Sequence, residues 1–338
     1  MCHHTVHHKW ETFLDKLLDA VPGLTRLTIL DVSLPYSLDN YSFYWTKIGI
    51  INAGWPFFAV NITTLSLDIP LEEIHLVLLS HITLLQLESF FIFLHIFFPT
   101  YEPNGLIWNT LLSFLLDHGL TLSSLRLEAL KKVDISSILA GLQHMPHLNS
   151  LHISHPFLTL GLMNFVGHHQ FLEAHQLQLQ YLTFNFVVQS LSSDIANKFF
   201  NQEWCDILLP GLQSLSFCFL CLTVSHDDAA DTTIPYFQQH IPTVKSLIIH
   251  TLHFSYNQVA SILTGPKYGE YQLTVLRMLD IQIQCFSPAF LSLLIDKAPQ
   301  LWLLKLNMSI IGPDKQPKCF RRSRVPELGH SIYLLPRK

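Results

Sequence analysis

The chain has 338 residues, 49% hydrophobic and only 13% charged, with a mean hydropathy of +0.31. This composition excludes intrinsic disorder and calls for a large buried core. The net charge of −5 is uneven: residues 312–338 hold seven Lys/Arg against two acids, so a mildly acidic body precedes a basic tail.

Residues 1–23 open with His3, His4, His7 and His8 and pass into a stretch where Trp10, Phe13, Leu14, Leu17, Leu18 and Val21 share one helical face. An N-terminal helix over 1–23 is expected, and its flanks are not those of a secretory leader. The four histidines have i, i+4 spacing, but fraying at a terminus argues against a metal site. Without a leader, the six cysteines read as reduced thiols of a cytoplasmic or nuclear protein. The run FFIFLHIFF over residues 90–98 lies between Glu88 and Glu102, with Pro99 and Pro103 beside it. It is shorter than the roughly 20 residues that cross a bilayer. A buried segment is expected there, and no membrane.

One pattern then recurs ten times: an apolar residue, two others, Leu, one other, and an apolar residue. The windows begin LTRLTI at Leu24, ITTLSL at Ile62, ITLLQL at Ile82, LSSLRL at Leu122 and LNSLHI at Leu148. They continue as LQYLTF at Leu179, LQSLSF at Leu212, VKSLII at Val244, LTVLRM at Leu273 and LWLLKL at Leu301. From Leu122 the intervals are 26, 31, 33, 32, 29 and 28 residues, one supersecondary unit each. Earlier intervals of 38, 20 and 40 point to eroded repeats or insertions near residues 36–58 and 90–116. The middle leucines (Leu27, Leu65, Leu85, Leu125, Leu151, Leu182, Leu215, Leu247, Leu276 and Leu304) are expected to be buried. Between windows the period changes to that of a helix, as at Ile135, Ile138, Leu139 and Leu142. Ser287-Pro288 supplies a hydroxyl cap and an N1 proline for another helix.

Strand, turn, helix and turn thus repeat over residues 24–311, and the windows resemble the LxxLxL core of leucine-rich repeats. The resemblance implies an α/β solenoid, a horseshoe with a parallel concave sheet and outer helices, in irregular repeats of about 26–33 residues. The Asn or Cys that the family often places three residues beyond the last apolar position is replaced by Val32, Leu130, Val187, Leu220, Leu252 and Ile281, so no regular asparagine ladder is expected. The long, proline-bounded repeats are similar to those of fungal F-box proteins, although the 23 residues before Leu24 are too few for an F-box. The resemblance therefore implies a non-enzymatic protein-binding scaffold, with a truncated or degenerate F-box-type substrate receptor as its specific form.

Candidate chemistry is sparse. Cys218 and Cys221 form a CxxC, but no second ligand pair follows at zinc-finger spacing and CFLC continues a strand. There is no phosphate-binding loop. No cofactor, metal or small-molecule ligand is assigned, and the basic tail alone does not make nucleic acid the expected partner. The alternative from another class is a hydrolase with a Cys/His site on a doubly wound α/β fold, whose sheet would contain a switch point. Strand alternation sends the third, fifth and seventh window positions to the concave side. That gives a protein-binding face including Arg126, Glu128, His152, Tyr181, Thr183, Asn185, His250, Arg277 and Lys305. Arg and Tyr are the residue types that most often dominate interface energy.

Overall fold

The computed structural model describes residues 26–33, 59–78, 83–95, 105–129, 135–157, 165–190, 193–223, 229–264, 275–311 and 330–334, with residues 52, 55 and 133. The expected helix over 1–23 and most of the basic tail lie outside the described residues. The chain divides into two compact units, Met1–Asn149 and Ser150–Lys338.

In the first unit the strands are β1 (Ile29–Ser33), β2 (Thr64–Pro70), β3 (Ser89–His95) and β4 (Ser124–Ala129), with helices α1 (Ile74–Val77), α2 (Gly105–Asp117) and α3 (Ile135–Gly141). The strands pair in parallel and in sequence order. The second unit has strands β5 (Ser150–Phe157), β6 (Tyr181–Ser190), β7 (Ser214–Thr223), β8 (Ser246–Phe254), β9 (Met278–Phe286) and β10 (Leu303–Ile311). Among them run α4 (Val166–His175), α5 (Ser193–Phe200), α6 (Ala229–His240), α7 (Tyr256–Thr264) and α8 (Pro288–Lys297). These strands too pair in parallel and in order. A further strand, β11 (His330–Leu334), falls within the basic tail and pairs antiparallel with β10; the sequence pattern had not marked it. Among the described strands of each unit the order follows the sequence with no switch point, so the doubly wound alternative does not describe this fold.

The strand register corrects three of the ten windows. Leu30, Leu65, Phe90 and Leu125 align across the first unit, and Leu247, Leu279 and Leu304 across the end of the second. The middle positions are therefore Leu30, Phe90 and Leu279, not Leu27, Leu85 and Leu276. Leu85 sits in a turn at 66% exposure, which contradicts its expected burial, and Leu27 is only half-buried. Two causes combine: leucine is abundant enough to satisfy the template in a second phase, and the third repeat has phenylalanine where the template demands leucine. In the observed register the repeats start at Leu27, Ile62, Leu87, Leu122, Leu148, Leu179, Leu212, Val244, Leu276 and Leu301, a spacing of 25 to 35 residues. Residues 90–116 are no insertion, since they contain β3 and α2.

Even window positions face the helices. Leu65, Leu67 and Ile69 on β2 are fully buried, and Phe90, Ile92 and Leu94 repeat the pattern on β3. In the second unit phenylalanine takes over these positions. Phe184 and Phe186 on β6 and Phe217 and Phe219 on β7 pack with Phe199 and Phe200 of α5, Trp204 and Tyr236. Phe186 and Phe199 have ring centroids 4.7 Å apart. Ser287 caps α8 as the sequence implies, its side chain accepting from the Phe290 N–H.

A second repeated device joins helix to strand. His118, His175 and His240 each lie four residues after an aromatic residue and four before the next window. Their rings lie 4.3, 4.1 and 5.0 Å from those of Phe114, Phe171 and Tyr236. Their carbonyls accept from Leu122, Leu179 and Val244, closing the turn into each strand. His118 also accepts the Leu84 N–H at Nε2, a bond to the preceding repeat that needs the neutral ring. Burial lowers the pKa of His118, takes His240 to about 4 and takes the fully buried His168, which also has His155 nearby, to about 3.

Two predictions follow from this packing. Leu215→Ala or Leu247→Ala should cost about 2–5 kcal/mol in chemical denaturation, while Leu85→Ala should stay within about 0.5 kcal/mol. The buried histidines have folded pKa values below their unfolded 6.5, so their contribution is complete above pH 6.5 and is lost as pH falls toward 4 and then 3. The unfolding free energy measured by chemical denaturation should therefore drop between pH 7 and 5, by about 2 kcal/mol for each of His168 and His240. His168→Phe should make that dependence shallower, and an unchanged slope would clear His168 of responsibility.

Candidate functional site

The odd window positions lie on the sheet face opposite the helices, and in both units that face is half-exposed and largely polar. In the first unit, Ser66 Oγ donates to Asp31 at 2.8 Å and Ser33 Oγ to Asp68 at 3.0 Å, tying β1 to β2. Arg126 on β4 stands 4.5 Å over the ring of Phe91 on β3, and its Nε donates to Glu128 at 2.6 Å. Cation–π contact and ion pair together fix a guanidinium whose side chain remains 47% exposed.

The second unit carries a continuous polar row across six strands. Asn185 on β6 hydrogen-bonds His152 on β5, Nδ2 to Nε2, at 3.2 Å. Its register neighbour on β7 is Cys218, which is followed on β8 by His250. Nε2 of His250 lies 3.1 Å from Oδ2 of Asp280 on β9, and Lys305 Nζ on β10 donates to the same oxygen at 3.0 Å. A bulge makes the His250 contact possible. Ile249 pairs with Ile281 and His253 with Gln282, so residues 250–252 have no counterparts on β9. His250 is thereby re-aimed toward Asp280.

Asp280 is only 3% exposed, and its Oδ1 has no hydrogen-bond partner. Burial opposes its charge, but the hydrogen bonds from His250 and Lys305 outweigh burial and hold the carboxyl below its ordinary range. The reciprocal effect raises His250 to about 9, through Asp280 first and then Cys218 beside it. The row thus carries two cations around one buried anion at neutral pH.

The remaining expected residues fall around this row. Thr183 lies between His152 and Ser216 in register, and Tyr181 at the third position is 47% exposed. Arg277 stands elsewhere than expected. The corrected ninth window puts it at the second position, just before β9, beside Lys245 and Trp302 at the strand entrance. There a side-chain ladder runs from Lys245 Nζ to Gln213 at 3.0 Å and from Gln213 to Gln180 at 3.1 Å. The expectation thus brings together His152, Asn185, His250 and Lys305, and Arg126 with Glu128. It misses Cys218, Asp280 and Phe91. Asp280 was legible, since LRMLDI from Leu276 fits the same template and places it at the fifth position.

Parallel strands in strict sequence order, buried even positions and one helix-covered face define an α/β fold of the leucine-rich-repeat type. No family model matches the chain, and no curated protein matches it. A similar solved structure is a chain from the crystal structure of the Rad7 and Elc1 complex in yeast. It is 14% identical and aligns over 97% of each chain with a TM-score of 0.41. Among the described residues no helix is long and apolar enough to cross a membrane, and no group of three or more His, Cys, Asp or Glu is placed to hold a metal ion.

The raised pKa of His250 yields a prediction. Its contribution to stability is complete below pH 6.5 and disappears as pH rises through about 9. By NMR the His250 ring should stay protonated at pH 7.5, and Asp280→Asn should return its titration toward the ordinary histidine range. A wild-type His250 already neutral at pH 7.5 would contradict the ion pair.

Proposed function

We propose that this chain is a non-enzymatic scaffold that binds another protein through the open, helix-free faces of its sheets. The observation that carries the reading is the prepared state of exposed side chains there. Arg126 is held over Phe91 and clasped to Glu128 before any partner arrives, and Tyr181 projects at 47% exposure. A side chain already fixed loses less entropy on binding, and Arg and Tyr concentrate interface energy. Glu128 would supply polar complementarity beside Arg126 in the first unit, and His152, Thr183, Asn185, His250 and Lys305 would do so in the second, with Arg277 at the strand entrance. Partner recognition needs no cofactor, small molecule, nucleic acid or membrane, and the proposed setting is the cytoplasm or nucleus. A substrate receptor of the F-box type, truncated or degenerate, is the specific form suggested by the resemblance of the repeats to those of fungal F-box proteins.

The test begins with affinity capture on the full chain and crosslinking mass spectrometry to identify a direct partner. Tyr181→Ala and Arg126→Ala should then weaken the measured affinity by about tenfold each, with little change in thermal stability. Ile295→Ala, on an exposed position of α8, should bind as wild type. Binding lost with Ile295→Ala but retained in both face variants would overturn the proposal.

A further inference from the structure

Cys218 is the one chemically reactive group on the polar row to which the docking reading gives no role. It is a half-buried free thiol and the register partner of His250 on β8, whose Nε2 lies 3.1 Å from Asp280 Oδ2. Thiol, imidazole and carboxylate therefore follow one another on β7, β8 and β9. This is the order of a nucleophile, a cation that favours its thiolate, and the carboxylate that pairs with the cation. On its other side Cys218 meets the neutral Asn185 of β6, and beyond Asp280 the Lys305 ammonium adds a second cation. The other described thiols differ. Cys205 is deeply buried, and burial raises it far above its usual range. Cys285 is half-buried like Cys218, but its sulfur hydrogen-bonds only the Phe286 carbonyl, at 3.9 Å.

We propose that Cys218 is a nucleophilic thiol and that Cys218, His250 and Asp280 form a covalent-modification site for small soft electrophiles, hydroperoxides among them. The thiol proton is lost to solvent, leaving a thiolate beside the His250 imidazolium, whose Nε2 lies 3.1 Å from Asp280 Oδ2. With a hydroperoxide, the sulfur attacks one peroxide oxygen, so that an S–O bond forms and the O–O bond breaks. The departing oxygen leaves with the electron pair and takes the imidazolium proton. The products are a sulfenic acid at Cys218 and water or an alcohol, the sulfur oxidised and the peroxide reduced by two electrons. The modified sulfur would stand on the open face between Asn185 and His250, where it alters the surface available for docking. The chemistry itself does not depend on the docking reading.

The experiment compares two thiols in one molecule. The full chain is treated with limiting iodoacetamide near neutral pH and labelling is followed by peptide mass spectrometry. Cys218 should be alkylated about tenfold or more faster than Cys285. Dilute hydrogen peroxide with dimedone should trap a sulfenic acid at Cys218. His250→Gln should slow Cys218 by a similar factor and leave Cys285 unchanged, while His250→Lys, which restores a cation, should recover part of the rate. Equal rates at Cys218 and Cys285 in the wild-type chain overturn the proposal. So does a Cys218 rate unaffected by His250→Gln.

Discussion

Everything in this molecule depends on parallel strands held in a register that stacks apolar even positions over one another. A single strand–helix unit has an apolar stripe and nothing to bury it against. Only when Leu65 lies beside Phe90, and Phe90 beside Leu125, is that stripe removed from water. The same holds in the second unit, where the stripe widens to take phenylalanine and the helices answer with Phe199, Phe200 and Tyr236. Since side chains alternate strictly along a strand, fixing the buried positions also fixes which residues are left on the other face.

That second consequence makes the open face chemically interesting. Its side chains are brought together by register and not by proximity in sequence: His152, Asn185, Cys218, His250, Asp280 and Lys305 come from six different repeats. The bulge in β8 breaks the regular pattern at one point and brings His250 to Asp280. Asp280 could not remain an anion at 3% exposure without the two cations beside it. The row is therefore mutually dependent, each charge tolerated because its neighbour is present.

The buried histidines show the same economy on the helix side. An imidazole at the end of a helix can stack on the aromatic residue one turn back, donate to that residue's carbonyl as His118 and His175 do at 2.7 Å, and still offer its own carbonyl to the next strand. Burial lowers the pKa of His118 and takes His240 to about 4, so packing is linked to pH through residues on the helix side.

The sequence by itself determined the class of fold, because a period of about thirty residues and a recurrent LxxLxL leave few ways to bury the leucines. It also determined local details that depend on neighbouring residues, such as the Ser287 cap and the helix begun at Ile135. Phase was harder to read. With leucine at almost every apolar site, two overlapping frames fit the first and ninth repeats equally well, and Phe90 hid the third. Only strand pairing chose between frames, because the energy that decides lies in contacts with the adjacent strand. The same limit applies to the polar row. His152, Asn185, His250 and Lys305 could be placed on one face by counting in twos. The joining of His250 to Asp280 falls beside a bulge, a shift of register between Ile249 and His253 that exists only once the two strands are paired.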